Sequence, residues 1–111
     1  MAEAITVARP YAEAAYKHAV ASGELDQWSK MLQLAAIIAE DNEFKLLIGN
    51  PVITAKRLEE IFLEIGKSKF NSEARNLLAI LAVNKRMQVL PQISQLFEQL
   101  KAQHEGVLEA K

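Results

Sequence analysis

The sequence predicts an all-α fold, a single domain built as a six-helix bundle. Apolar residues recur at spacings of three and four along most of the 111 residues, which is the period of an amphipathic helix. No window alternates apolar and polar residues strongly enough to indicate a strand. The 4 glycines and 3 prolines fall where these helices should begin or end.

The first half of the chain contains three predicted helices. Ser22-Gly23 closes the first, residues 7–20, because glycine adopts the left-handed cap conformation at low cost. The second, from Leu25 to Ala39, ends at Asp41-Asn42. That pair also caps a short third helix, residues 43–48, which stops at Gly49-Asn50-Pro51.

The second half contains three more. Thr54 is the expected N-cap of the fourth helix, which ends at Gly66. Asn71-Ser72 caps the fifth, residues 73–83, and Asn84 is the residue expected to tolerate the left-handed conformation at its end. The sixth begins near Met87 or Pro91 and extends at least to Leu100. The core stripe of the fourth helix is Leu58, Ile61, Phe62 and Ile65.

The first helix has more apolar surface than one core face requires, since an amphipathic helix usually has a single apolar face. An inner stripe is expected in the core, and a second stripe is left for a partner. Tyr11 and Tyr16 are five residues apart and cannot share a face. The inner stripe is Ala12, Tyr16, Ala19 and Val20; the outer is Val7, Tyr11, Ala14 and His18, with Ala8 and Ala15 between them.

The fifth helix shows the same surplus. Asn76, Ile80 and Val83 form a second stripe beside the expected core positions. One interpretation is a central helix buried nearly all round, as is common in bundles. The other is a second surface that binds a partner. The expected core positions are Ala74, Leu77, Leu78, Leu81 and Ala82.

Composition excludes several classes of protein. A net charge of −1 gives no basic stripe for nucleic acid and no attraction to an anionic membrane. The absence of cysteine rules out disulfides and thiolate metal sites and suits an intracellular setting. No signal peptide is visible, and the longest apolar run, residues 32–39, is too short to span a bilayer. With only 6% aromatic residues, the core is expected to be aliphatic.

Catalytic patterns are missing, so the sequence predicts no enzyme, cofactor or metal. His18 and His104 lack ligands at helical spacing, and Glu59 and Glu60 point in different directions on a helix. The glycines are isolated, so no loop is built to hold phosphate.

Trp28 is expected in the core. Lys85-Arg86 is either a solvated helix end or a contact for an acidic partner.

Two segments carry a family resemblance. I-T-V-A-R-P-Y-A-E-A-A-Y (residues 5–16) resembles the first helix of the delta subunit of bacterial rotary ATP synthases, whose mitochondrial counterpart is the oligomycin-sensitivity-conferring protein. N-L-L-A-I-L-A-V-N-K-R-M-Q-V-L-P (residues 76–91) is similar to the family's fifth helix and the start of its sixth. Lys85 stands where many members have glycine.

The resemblance implies a non-catalytic stator subunit that binds the N-terminal helix of an alpha subunit between helices one and five. It implies that residues 1–105 form the N-terminal domain and residues 106–111 begin a linker to a missing C-terminal domain, which joins the peripheral-stalk b subunit. The implied location is peripheral, on the cytoplasmic face of the bacterial inner membrane. The implied partner-binding residues are Tyr11, Ala14, Ala15, Asn76, Ile80, Val83 and Arg86.

Two other hypotheses stay open at this stage. In the first, the chain is a generic helical adaptor or homo-oligomerisation module whose second faces pair with each other, whereas the stator hypothesis expects an isolated monomer. In the second, it is a helical nucleic-acid binder, which the net charge of −1 disfavours.

Overall fold

The computed structural model describes residues 2–106 and confirms the all-α, six-helix fold. No strand occurs within that range. A 3-10 turn, Met87–Val89, precedes the last helix. The helices are α1 (Ala2–Ser22), α2 (Leu25–Glu40), α3 (Asn42–Ile48), α4 (Ala55–Gly66), α5 (Ser72–Val83) and α6 (Leu90–Gly106).

The predicted helix starts are confirmed at three caps. The side chains of Asp41, Thr54 and Asn71 accept hydrogen bonds from backbone N–H groups three residues on, at 3.0, 3.1 and 2.8 Å. Each cap satisfies one of the N–H groups that the first turn of a helix leaves without a partner. The first helix differs from expectation, because α1 begins at Ala2 rather than near residue 7, and Pro10 therefore lies beyond its first two turns.

The ends of α1 and α5 have the same geometry. Gly23 closes α1 with φ of 70°, and Lys85 follows α5 with φ of 60°. In both, two backbone N–H groups bond to carbonyls of the last turn, as in a Schellman motif. The prediction that Asn84 takes the left-handed conformation was wrong, since its φ is −82°. The next residue adopts it instead.

Replacing Lys85 with glycine should therefore stabilise the domain. A left-handed backbone costs an L-residue roughly 1–2 kcal/mol, while the extra freedom of an unfolded glycine offsets about 0.5–1 kcal/mol. We expect the free energy of unfolding in urea to rise by about 0.5–1 kcal/mol. Lys30→Gly, at an exposed position inside α2, is the matched control and should lower it by a similar amount. A decrease for both would show that the cap is unstrained.

The helices form two packing units. Helix α6 packs closely on both α1 and α2, which touch each other less, and α4 packs mainly on α5. The 3-10 turn touches helices of both units, and α2 also contacts α4. The molecule is elongated as a result, with principal extents of 52 × 31 × 20 Å. This division places α1 and α5 in different units.

The core is mainly aliphatic, as predicted, but it also holds a group of aromatic rings. All four phenylalanines and Trp28 are buried, which confirms the placement of Trp28 and Phe62 in the core. The rings of Phe44 and Phe62 meet edge to face at 5.4 Å, and Phe62 lies 5.7 Å from Phe70. Aromatic rings bury large areas, so few are needed to fill the region between α3, α4 and α5.

The inner stripe of α1 is shifted from its predicted position. Ala12 and Ala19 are fully buried, but Val20 is 41% exposed, so its assignment to the core was wrong. The buried face of α1 also includes Ala8 and Ala15. The middle of this face therefore points away from Val20. Small side chains at this spacing let a neighbouring helix approach closely. On α4, Ile65 is 49% exposed and was also wrongly assigned to the core.

Two contacts hold the C-terminal half of α6 in place. The Tyr16 hydroxyl and His104 Nδ1 are 3.1 Å apart. Lys101 lies 3.2 Å from Glu105 and 3.4 Å from Asp26 at the start of α2, and the Glu105 hydrogen bond, with Asp26, raises the pKa of this amine. The helix continues through Gly106, where the linker was expected to begin; residues 107–111 of that expectation lie outside the described residues.

Candidate protein-binding groove

The outer stripe of α1 lies at the boundary between the core and the solvent-exposed surface. Val7 and Tyr11 are half-buried against the core, while Ala14 and His18 are exposed. The His18 ring rests edge to face on Trp28 at 5.7 Å, so it covers the indole. The stripe is thus an apolar surface with one small residue, Ala14, at its centre.

The second stripe of α5 faces away from the core. Ile80 is 50% exposed and Val83 68% exposed, although both are large apolar side chains. Asn76 is exposed on the same face. The core side of the helix holds Leu78 and Leu81, which are at most 2% exposed. The interpretation of α5 as a helix buried all round was therefore wrong.

The two stripes are linked at one point. The side-chain amide of Asn84, just after α5, donates a hydrogen bond to the Tyr11 hydroxyl at 3.1 Å. Elsewhere α1 and α5 make little direct contact. The pair is thus joined at the C-terminal end of α5 and is otherwise separated, as the two walls of a groove would be.

The remaining predicted site residues lie in different environments. Arg86 is exposed beside Asn84. Ala15 is only 5% exposed and belongs to the core line of α1. Asn84 was missed as a site residue, because the sequence analysis considered only its backbone conformation at the end of α5 and not a side-chain contact with another helix. Its only sequence signal was its position next to Lys85-Arg86.

A separate cleft lies beside the C-terminal end of α5. It has a volume of about 770 Å³ and lies between the end of α2, the α3–α4 connection, the start of α4 and the 3-10 turn. Ala82 and Lys85 line it, but none of the predicted partner-binding residues does. The predicted partner-binding surface is therefore separate from this cleft.

Other kinds of site find little support in the described part of the chain. Within residues 2–106, no three His, Asp or Glu side chains lie together in a way that could hold a metal ion. None of the described helices is long and apolar enough to cross a membrane. The surface with the most distinctive chemistry is the pair of apolar stripes.

Comparison with known proteins identifies the family. The family model described as ATP synthase delta (OSCP) subunit matches residues 7–111. The chain belongs to this family. The resemblance predicted from residues 5–16 and 76–91 is thereby confirmed.

Named relatives of the delta (OSCP) family are similar along the whole chain. It is 49% identical over 111 residues to "ATP synthase subunit delta" of Nitrosospira multiformis and 50% identical over 111 residues to that of Nitrosomonas eutropha. The protein of the same name from Chromobacterium violaceum is 42% identical over 110 residues. These matches cover 99–100% of the chain and 62% of each relative. The chain thus spans about 62% of the length of the relatives it matches.

Proposed function

We propose that this chain is a non-catalytic part of the stator of a bacterial rotary ATP synthase. In this proposal it binds the N-terminal helix of an alpha subunit between α1 and α5. The observation that carries the proposal is the exposed apolar face of α5, with Ile80 and Val83 half or more exposed, beside the alanine-centred stripe of α1. Membership of the delta (OSCP) family supports the same role.

The binding mode follows from helix-in-groove recognition. An amphipathic partner helix lays apolar residues spaced by three and four against Ile80, Val83 and the ring of Tyr11. Ala14 lets its backbone come close, and Asn76 can pair with polar groups at the rim. Ordering a segment that is disordered when free costs several kcal/mol, so only part of the burial energy becomes net affinity. The function is mechanical, and its strength is set by the dissociation rate.

The wider assembly belongs to the same proposal. The portion of the relatives that this chain does not cover would join the b subunit of the peripheral stalk. The whole subunit would then connect the catalytic head to that stalk during ATP synthesis, on the cytoplasmic face of the inner membrane. No cofactor and no nucleic acid take part in this role.

A titration with sedimentation tests the proposal. The chain should sediment as a monomer and bind one alpha N-terminal peptide per molecule in calorimetry, with a negative heat-capacity change from apolar burial. The rival adaptor hypothesis pairs the second faces of two copies with each other. A tight homodimer that fails to bind the peptide would therefore contradict the stator proposal and support that rival.

A further inference from the structure

One end of the proposed groove concentrates hydrogen-bond donors and positive charge. We call Tyr11, Asn84, Lys85 and Arg86 the α5 corner. The Tyr11 hydroxyl accepts the bond from Asn84 and keeps its own proton, which is available to donate to a further acceptor. Lys85 and Arg86 are exposed, and neither forms an ion pair with any residue in the described range.

The backbone at this corner is fixed. The Lys85 N–H bonds to the Ala82 carbonyl at 3.1 Å, and the Arg86 N–H bonds to the Leu81 carbonyl at 2.8 Å. These two bonds fix the backbone of Lys85 and Arg86 just beyond Val83. The main chain that carries the two charged side chains is consequently preformed, which lowers the cost of ordering this end of the face on binding.

The other end of the same face carries the opposite charge. Glu73 precedes Asn76, Ile80 and Val83 at spacings of three, four and three, which place these side chains on one side of a helix. Glu73 is exposed in the first turn of α5. Arg75 is two residues from Glu73 and points about 160° away from it, since successive residues turn by about 100°. The face therefore runs from a carboxylate, through apolar residues, to the α5 corner, where Arg86 and the Tyr11 hydroxyl lie and where Lys85 also lines the separate cleft.

We propose that the helix bound in this groove carries carboxylates at the end that lies over the α5 corner and basic residues at the end over Glu73. This inference rests on the proposed function and adds the charge polarity of the partner and its orientation in the groove. Complementary charges at the rim of an interface fix register and speed association more than they add affinity. The apolar residues hold the helix, and the charged ends decide which way it lies.

A spin-label experiment tests the orientation. The probe is a synthetic amphipathic peptide with glutamates at one end, lysines at the other and a nitroxide at the acidic end. The 12 residues of α5 span about 18 Å, which is enough to distinguish the two ends by amide broadening. Asn84 and Arg86 should broaden strongly and Glu73 weakly. Stronger broadening at Glu73, or equal broadening at both ends, would overturn the inference.

Charge reversal supplies the matched pair of variants. Arg86→Glu should weaken binding of this peptide by about fivefold to tenfold at low salt, mainly through slower association. Arg75→Glu makes the same charge change on the same helix, off the face, and should alter affinity by less than about twofold. Equal effects of the two variants would contradict a local contact at the α5 corner.

Different experimental results would overturn the proposed function and this inference. If the alpha N-terminal peptide does not bind the unmodified chain, the stator proposal is wrong. A different outcome is that the alpha peptide binds, but Arg86→Glu leaves the affinity of the synthetic peptide unchanged and its nitroxide broadens both ends of α5 equally. In that case only the inferred orientation is wrong.

Discussion

Replacing Ala14 with aspartate should abolish binding of the alpha-subunit peptide while the domain stays folded. Ala14 is exposed on α1, so the free domain leaves the new carboxylate in water. In the proposed complex the partner helix covers this position and buries the charge without a counter-ion. Such a charge costs about 3 kcal/mol or more, which is a loss of roughly a hundredfold or more in affinity. Calorimetric titration of both proteins measures it.

The control is Ala102→Asp, the same substitution at an exposed position on α6. It should leave both affinity and the circular dichroism spectrum unchanged, because α6 lies outside the groove. Unchanged affinity for a well-folded Ala14→Asp variant would show that the partner does not bind over this part of α1. The groove would then have to lie elsewhere on the molecule.

Replacing Gly66 with alanine should destabilise the fold, although the substitution adds only one methyl group. Gly66 is buried at the end of α4, and a Cβ there would overlap the ring of Phe70. That ring is only 5% exposed and packs against Phe62, so it has little room to move. Forcing atoms into such a site costs about 1–3 kcal/mol. The midpoint of urea unfolding should fall accordingly.

Gly106→Ala is the matched control for this prediction. Gly106 is also helical, but nothing lies within 4 Å of a Cβ built there. Alanine favours helix over glycine by up to about 1 kcal/mol, and less at a helix end. This variant should be neutral or slightly stabilising. If both variants raised stability, the Phe70 ring would not be fixed in place.

Most of the fold could be predicted from the sequence because its signals are local. Asp41, Thr54 and Asn71 cap helices through their own side chains, and those contacts depend only on neighbouring backbone. The spacing of apolar residues in α5 identified its core face for a similar reason. Periodicity defines a face without reference to any other part of the chain.

The errors arose where another helix decides the outcome. Val20 and Ile65 fit the apolar period of their helices, yet no neighbouring element covers them fully. The choice between Asn84 and Lys85 for the left-handed position depends on which residue ends α5, a boundary that propensity sets only to within a residue or two. Phe70 lies between helices, where no period applies, and its burial depends on Gly66.

The candidate site could likewise be predicted only in part from the sequence. The surplus apolar faces on α1 and α5 were visible as patterns, and Ile80 and Val83 are exposed as that reading requires. Sequence could not reveal that Asn84 reaches Tyr11, because the two residues are 73 positions apart. It also could not show how far the core extends around α1, so that Ala15, placed between the two stripes, is buried while Ala14 is exposed.

The division of the molecule into two packing units has a mechanical consequence. One wall of the proposed groove, α1, belongs to the unit with α2 and α6, and the other, α5, belongs with α4. A helix bound along both walls would cross-link the units side by side, in addition to the contact of α2 with α4, the 3-10 turn and the Tyr11–Asn84 bond. A load along that helix would then act in shear, and many apolar contacts would have to break at once before the units slid apart.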